Sequence, residues 1–443
     1  ASCPWANGVS CVRMSASDRS VGSAPTASDA TASPAVPAWV AVMAVGLLTG
    51  LQPLSTDMYL PALPEMQRAL SLTSPQVQWT LSVLIMAFGA GQLVWGPVAD
   101  RIGRQPVLRW GLGLYALASA AATLAPDLSI VLLARIAQGA SLSAAVVCGR
   151  AMIRDLYQPE EGAKVMTKGM GLLGVLALLG PVVGAVAATL GGWRATMALL
   201  LLFSSLILLF IWRHLPETLP AHRRQPAQSW LTLVSQWWRI SKHPTFRAHT
   251  LLTSSTYGGL YVYLALSAFA FIDVLHTSRT TYGVFMATLS LAYLGGTFVC
   301  QRALHRIGLI RTIRIGGWLS LSGGIGIALV AGAQFFLGWT VHPVALLPGM
   351  WLYAVGHGIH QPCGQTGVVA AFPKQAGAAS ALSGFILAST AFVVGAGLSW
   401  WTSLPGWAGT LYPMTLGMGL GGVCTAWVAL RRVQRDGLPR RDA

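Results

Sequence analysis

The sequence predicts an all-α membrane protein of twelve transmembrane helices arranged as two six-helix pseudo-repeats. Three observations carry this. Charged residues make up 9% of the chain, against 54% hydrophobic, with a mean hydropathy of +0.60; a soluble domain carries about 25% charge and needs it to face water. Apolar stretches long enough to cross about 30 Å of hydrocarbon follow one another along the chain. The Lys and Arg residues gather on one side of those stretches. A soluble enzyme is excluded on these grounds. No nucleophile–base arrangement, metal-ligand spacing or phosphate loop stands out, so no catalytic residue, metal or cofactor is expected. A net charge of +16 would suggest nucleic acid in a soluble protein. Here the cations sit in short loops and mark topology, so no nucleic-acid partner is expected.

Residues 1–36, rich in Ser, Ala, Thr and Pro, read as a disordered cytoplasmic tail. They lack the basic start and apolar core of a cleaved signal peptide, and Met14 is a candidate natural start. The spans are expected at 38–63, 76–98, 106–125, 129–153, 164–189 and 194–213, then at 247–272, 282–303, 311–332, 344–369, 376–399 and 409–430. This divides the chain into a first bundle at 37–213, a cytoplasmic linker at 214–246, a second bundle at 247–431 and a short tail at 432–443. Trp230, Trp237 and Trp238 of the linker are expected on an amphipathic helix at the inner interface. The six cysteines show no CxxC spacing and read as free, buried thiols with no disulfide role.

Lys and Arg set the orientation. Of the 29, only Arg68, Arg194 and Arg279 fall on the sparse side, and Arg135 is read as lying within a span. The rest belong to the termini and the even-numbered connections. Both termini are therefore expected in the cytoplasm, the span number is even, and the protein is expected as a multi-pass, monomeric inner-membrane protein. An internal repeat supports two halves: Asp100-Arg101-Ile102-Gly103 follows the second span, and His305-Arg306-Ile307-Gly308 follows the eighth, 205 residues later.

The segment from Gly96 to Leu108, which holds Pro97, Asp100, Arg101, Gly103, Arg104 and Gln105, resembles the signature loop of the major facilitator superfamily. An acid among several cations in a short turn suits a conformational latch between helix bundles. Gly96, Asp100, Arg101, Gly103 and Arg104 are its candidate residues. Gln105 stands where the family usually has a cation, which leaves one contact in doubt, and His305 replaces the acid in the second half.

Leu54-Ser55-Thr56-Asp57-Met58-Tyr59-Leu60-Pro61 looks closely like the Bcr/CflA branch of that superfamily, the bicyclomycin and chloramphenicol resistance exporters. The resemblance implies that Asp57 is the proton-linked, substrate-facing carboxylate. The residues point the same way: Asp57 is the one acid placed within an apolar span and away from its ends, and a carboxylate there is costly unless it faces a water-filled cavity or a partner. Pro53, Pro61 and Pro64 are expected to bend or break the helix nearby. Arg135-Ile136-Ala137-Gln138-Gly139 resembles the superfamily's RxxQG motif, linked there to proton transfer. An Arg stays protonated, so Arg135 is expected to tune Asp57 by charge, or else to be held by carbonyls. Gly180-Pro181-Val182-Val183-Gly184 resembles the antiporter-associated motif in shortened form, and Gly180, Pro181 and Gly184 are expected to kink the fifth span.

His357, His360, Gln361 and Gln365 form a polar stripe in the tenth span, too few ligands for a metal. They suit either substrate contact or hydrogen-bonded packing. Tyr257, Tyr261 and Tyr263 in the seventh span, with Tyr59, could offer aromatic surface to a lipophilic molecule. The cavity candidates are thus Tyr59, Tyr257, Tyr261, His357, His360 and Gln361. The expected function is proton-coupled efflux of small lipophilic drugs by alternating access, with the drug, protons and lipid as partners. A proton-coupled metabolite importer of the same fold is the alternative, and a non-transporting membrane receptor or scaffold a more remote one.

Overall fold

The structure is a computed structural model that describes residues 36–224, 226, 229–407 and 409–438. The expected tail to residue 35, with Cys3, Cys11, Arg13, Met14 and Arg19, lies outside the described residues, as do Arg440 and Arg441.

The first four spans are Ala38–Asp57, Ser74–Ile102, Arg104–Leu124 and Leu128–Leu156. Helix Pro159–His214 holds the fifth and sixth. The amphipathic helix Trp230–Lys242 follows, and then Pro244–Ala268, Arg279–Ile307, Leu309–Leu337, Leu347–Ala370, Ala376–Ser403 and Tyr412–Trp427. Nine helical stretches among the described residues are long and apolar enough to cross a membrane. Two of them, Glu160–His214 and Arg279–Leu337, each contain two spans. Leu347–Ala370 is the remaining span, its apolar run diluted by His357, His360, Gln361 and Gln365.

Three glycines make the sharp reversals. Gly103 (φ 108°, ψ 162°), Gly192 (φ 69°, ψ −168°) and Gly308 (φ 76°, ψ 173°) occupy a backbone region that is open essentially only to glycine. One residue therefore separates the second span from the third, the fifth from the sixth, and the eighth from the ninth. Gly103 and Gly308 are the repeat pair seen in the sequence, and they adopt the same turn. The expected boundary between the fifth span (164–189) and the sixth (194–213) falls at Gly192. Residues 180–184 keep helical backbone angles, because a proline without a donor is tolerated where neighbouring helices support the backbone.

Consecutive spans alternate in direction, so most connections rich in Arg lie at one end of the bundle, the basic face. Within the first half the second span packs on the fourth and the first on the fifth-and-sixth helix; in the second half the ninth and tenth and the ninth and twelfth do so. Two seams join the halves, the second span against the eleventh and the fifth against the eighth. Small residues let the backbones approach: a side chain at Gly89 would overlap Ala388, and Gly283 faces the Pro181 carbonyl.

Two expectations change here. Arg150 belongs to the interior of Leu128–Leu156, roughly 9 Å from its end, and is no loop cation. Among the cysteines, Cys148, Cys300 and Cys363 are buried but Cys424 is exposed, and all four are free. In the linker helix Leu233 and Ile240 face inward, with Trp237 packed beside Ile240 and Phe246; Trp230, Leu231, Val234 and Trp238 face outward.

The two repeat glycines differ in surroundings. A methyl group at Gly103 would overlap Glu217, whereas at Gly308 it would meet open space. Backbone strain of about 1–3 kcal/mol is expected for Gly103→Ala and Gly308→Ala alike, and Gly103→Ala carries the overlap in addition. Thermal unfolding in detergent should show both variants less stable than the parent, with Gly103→Ala the lower of the two.

Candidate functional site

Arg135 is fully buried in the fourth span. Its Nε donates to the Thr80 carbonyl (3.3 Å), Nη1 to Gln138 Oε1 (3.0 Å) and Nη2 to the Ser55 carbonyl (3.1 Å). Its guanidinium lies 4.4 Å from the centre of the Tyr59 ring. No carboxylate pairs with it among the described residues. A buried charge is costly when unpaired; here it is shared among two carbonyls, an amide and a ring face. Further bonds extend the network: Ser55 Oγ and Tyr115 Oη lie 2.6 Å apart, Gln138 Nε2 donates to Ser119 Oγ (2.8 Å), and Tyr59 Oη and Thr80 Oγ1 lie 2.7 Å apart. Side chains of the first four spans thus converge on one cation.

Asp57 ends helix Ala38–Asp57, where the prolines were expected to break it. The chain continues through a 3-10 turn at Leu60–Ala62 into helix Leu63–Ala69, and Met58 to Leu63 are all buried. Asp57 itself is half-buried, and its carboxylate accepts from Thr56 Oγ1 at 2.7 Å. Arg135 touches this helix at Ser55, two residues away, without forming an ion pair with Asp57. The structure brings the two candidates to the same stretch of the first span and holds Arg135 by carbonyls.

Asp57, Tyr257 and Tyr293 are each partly open to solvent while enclosed by protein, and Arg150 is more open still and equally enclosed. Groups that are both accessible and surrounded line a concavity. The Tyr257 and His357 rings are 6.2 Å apart, and the His357 and Tyr293 rings 5.5 Å apart. Thr256 Oγ1 holds His357 Nδ1 at 3.2 Å. Arg150 is exposed near the end of its helix on the basic face. At the other end Arg279 Nη1 donates to the Ala188 carbonyl (2.7 Å) and lies 3.9 Å from Glu65 Oε2, joining the halves.

The other cavity candidates are placed differently. Tyr59 is buried beneath Arg135. Tyr261 is buried at the seam, its Oη 2.6 Å from Ser82 Oγ of the opposite half. His360 turns to the ninth span, Nε2 3.2 Å from the Ile313 carbonyl. Gln361 is half-buried. Side chains three apart share a helix side but not a neighbour: both histidines are buried, His357 against the Tyr257 and Tyr293 rings and His360 against the ninth span.

Around Asp57 the fifth span is tightly seated. A side chain at Gly184 would overlap the Met58 carbonyl, and one at Gly180 would press on Leu54. Gly180, Pro181 and Gly184 therefore wedge between the first span at Asp57 and the eighth at Gly283.

The signature loop is held within the first half. Arg104 Nη1 pairs with Asp100 (2.6 Å) and Nε with Asp155 of the fourth span (3.0 Å). Glu217, beyond the sixth span, accepts from the backbone N–H groups of Arg104 (2.9 Å) and Gln105 (3.3 Å). Gln105, the position in doubt, supplies a contact of its own, from Nε2 to the Leu215 carbonyl (2.6 Å). Arg101 is exposed, and a side chain at Gly96 would meet open space. Sequence reasoning missed Asp155, Glu217, Tyr293 and Arg150. The expected span at 129–153 already contained Arg150, which is the signal that would have found it.

A family model described as Major Facilitator Superfamily matches residues 45–396. The chloramphenicol resistance protein of Pseudomonas aeruginosa is 29% identical over 346 residues, covering 76% of this chain and 80% of that one. Multidrug resistance protein D of Escherichia coli is 28% identical over 345 residues, covering 76% and 83%. The xylose transporter XylE of Escherichia coli, in a partially occluded inward-open conformation, superposes with a TM-score of 0.68 over 92% of this chain and 99% of that one; at 14% identity the likeness is one of fold.

The Arg135 network leads to one expectation. A lysine keeps the charge but loses the planar fork that serves Ser55, Thr80 and Gln138 together. Arg135→Lys should cost roughly 1–3 kcal/mol of stability, read as a lower melting temperature of the purified protein. An unchanged melting temperature would mean that the network does not hold the four spans.

Proposed function

The chain belongs to the Major Facilitator Superfamily, and we propose that this transporter is a drug:H+ antiporter that expels small lipophilic compounds of the chloramphenicol or bicyclomycin kind. The observation that carries the reading is Asp57, a carboxylate held half-buried in a solvent-accessible concavity between the two halves. The printed names of the two resistance relatives point to the same class of cargo.

The basic face is the cytoplasmic one by the distribution of Lys and Arg, so both termini are cytoplasmic and the protein sits in the inner membrane. The concavity then opens inward. Drug enters from the cytoplasm or the inner leaflet and lies against Tyr257, His357 and Tyr293. The halves rock about the seams formed by spans two and eleven and spans five and eight, and the contacts of Arg279 with Glu65 and Ala188 part. Asp57 takes a proton from outside, and the loss of its charge helps release the drug. The cycle requires that drug and proton each bind the two states unequally, since a ligand that binds both alike shifts nothing. Arg135 holds the first four spans in register around Asp57. The signature loop, drawn together by Asp100, Arg104, Asp155 and Glu217, gives the first half a rigid cytoplasmic end that latches and releases. The seating of Gly184 on Met58 ties the fifth span to the segment that carries the proton, which favours antiport over import. One chain contains the whole concavity, so a monomer suffices.

Proteoliposomes test this directly. With chloramphenicol on one side, the parent should move protons against the drug, and Asp57→Asn should lower that coupled movement at least about tenfold. Drug transport by the parent with no dependence on the pH gradient would overturn antiport. Normal coupling in Asp57→Asn would overturn the role of that carboxylate.

A further inference from the structure

The eighth and tenth spans, Arg279–Ile307 and Leu347–Ala370, meet backbone to backbone. A side chain at Gly358 would overlap the Tyr293 carbonyl and press on the Gly296 Cα, and one at Gly296 would overlap the Val355 carbonyl. About one turn further toward the basic face, each helix carries a cysteine at this same contact. Cys300 and Cys363 are buried, and their Sγ atoms lie 3.4 Å apart. Cys300 Sγ also donates to the Ile359 carbonyl of the tenth span (3.7 Å). Both cysteines stand seven residues before the end of their helix, about 10 Å inside the basic face. Leu252, Ile313, Ile359 and Val428 pack around them.

Two thiols this close can hold a soft metal ion or become a disulfide. A metal held by two thiolates would leave negative charge among apolar side chains, which is costly without a partner. A disulfide is neutral and needs none. The sulfurs have to close by about 1.4 Å to reach a bonded separation of about 2.05 Å. Backbone contact one turn away is the close approach that such a bond requires of its two helices.

We propose that Cys300 and Cys363 form a dithiol site that a neutral, membrane-permeant two-electron oxidant converts to a disulfide, stapling the eighth span to the tenth. Both S–H bonds break and one S–S bond forms. The two protons and two electrons pass to the oxidant, an azo compound such as diamide becoming the corresponding hydrazine. The staple closes the long stretch of chain from 300 to 363 and so opposes unfolding of the second half. It also fixes the helix pair that carries the Tyr293 and His357 rings, 5.5 Å apart about two turns away. Because the pair is buried, the bond outlasts charged reductants and yields to a neutral dithiol. The assignment depends on neither the cargo nor the direction of transport.

The purified full-length protein tests it. A sample prepared under dithiothreitol is treated with diamide, quenched, denatured and alkylated, and its peptides are identified by mass spectrometry. The parent should yield a linked peptide pair joining Cys300 to Cys363, absent before oxidation and removed by dithiothreitol. Its melting temperature should rise by at least about 2 °C on oxidation and fall back on reduction. Cys300→Ala and Cys363→Ala should lose both effects. Cys148→Ala, which removes the other buried thiol among the described residues, should keep both. A parent in which both thiols are still alkylated after oxidation, or are linked to other cysteines, overturns the site whatever the variants do. A linked pair with an unchanged melting temperature overturns the staple.

Discussion

The constraint on which the rest of the structure depends is the burial of one guanidinium without a counter-charge. In hydrocarbon every polar group must be satisfied by protein. Arg135 meets this demand by drawing on the Ser55 and Thr80 carbonyls, Gln138 and the Tyr59 ring. Each partner comes from a position that must be brought close, so the cation prescribes how the first, second and fourth spans pack, and Tyr115 and Ser119 add the third. With nothing of opposite sign nearby, Arg135 leaves Asp57 unneutralised. Asp57 therefore rests in no ion pair among the described residues.

A second constraint is geometric. Gly103, Gly192 and Gly308 turn the chain within a single residue, so spans that are neighbours in sequence must be antiparallel neighbours in space. The halves then touch along two narrow seams lined with small residues. In the second half the rings of Tyr257, His357 and Tyr293 form a strip. The same interface that buries Tyr261 against Ser82 leaves the neighbouring Tyr257 half-buried.

Much of this was legible in the sequence. Apolar runs locate the spans, because crossing hydrocarbon demands length and low charge. The repeated turn at Gly103 and Gly308 was visible because only glycine serves that backbone. Asp57 and Arg135 stood out because ionisable residues in a membrane are rare. The boundary between the fifth and sixth spans was legible as well and falls at Gly192; the effect of Pro181 was not, because it depends on whether neighbouring helices support the freed backbone. His357 and His360 looked equivalent because helical spacing reports a side of a helix and says nothing of what covers it.

The sequence by itself thus determined the membrane class, the number and order of the spans, the two-half plan and the identity of the isolated charges. These follow from local hydropathy and from the few residues that can occupy special backbone angles. Only the tertiary structure decided which of those charges meet. It placed Arg150 inside a helix although the charge count had assigned it to a loop, seated Glu217 and Asp155 around Arg104, and left Tyr257 half-buried while burying Tyr59, Tyr261, His357 and His360. The physical reason is that a side chain's role depends on neighbours contributed by distant spans, and packing among twelve helices is a property of their arrangement, which no local pattern in the chain encodes.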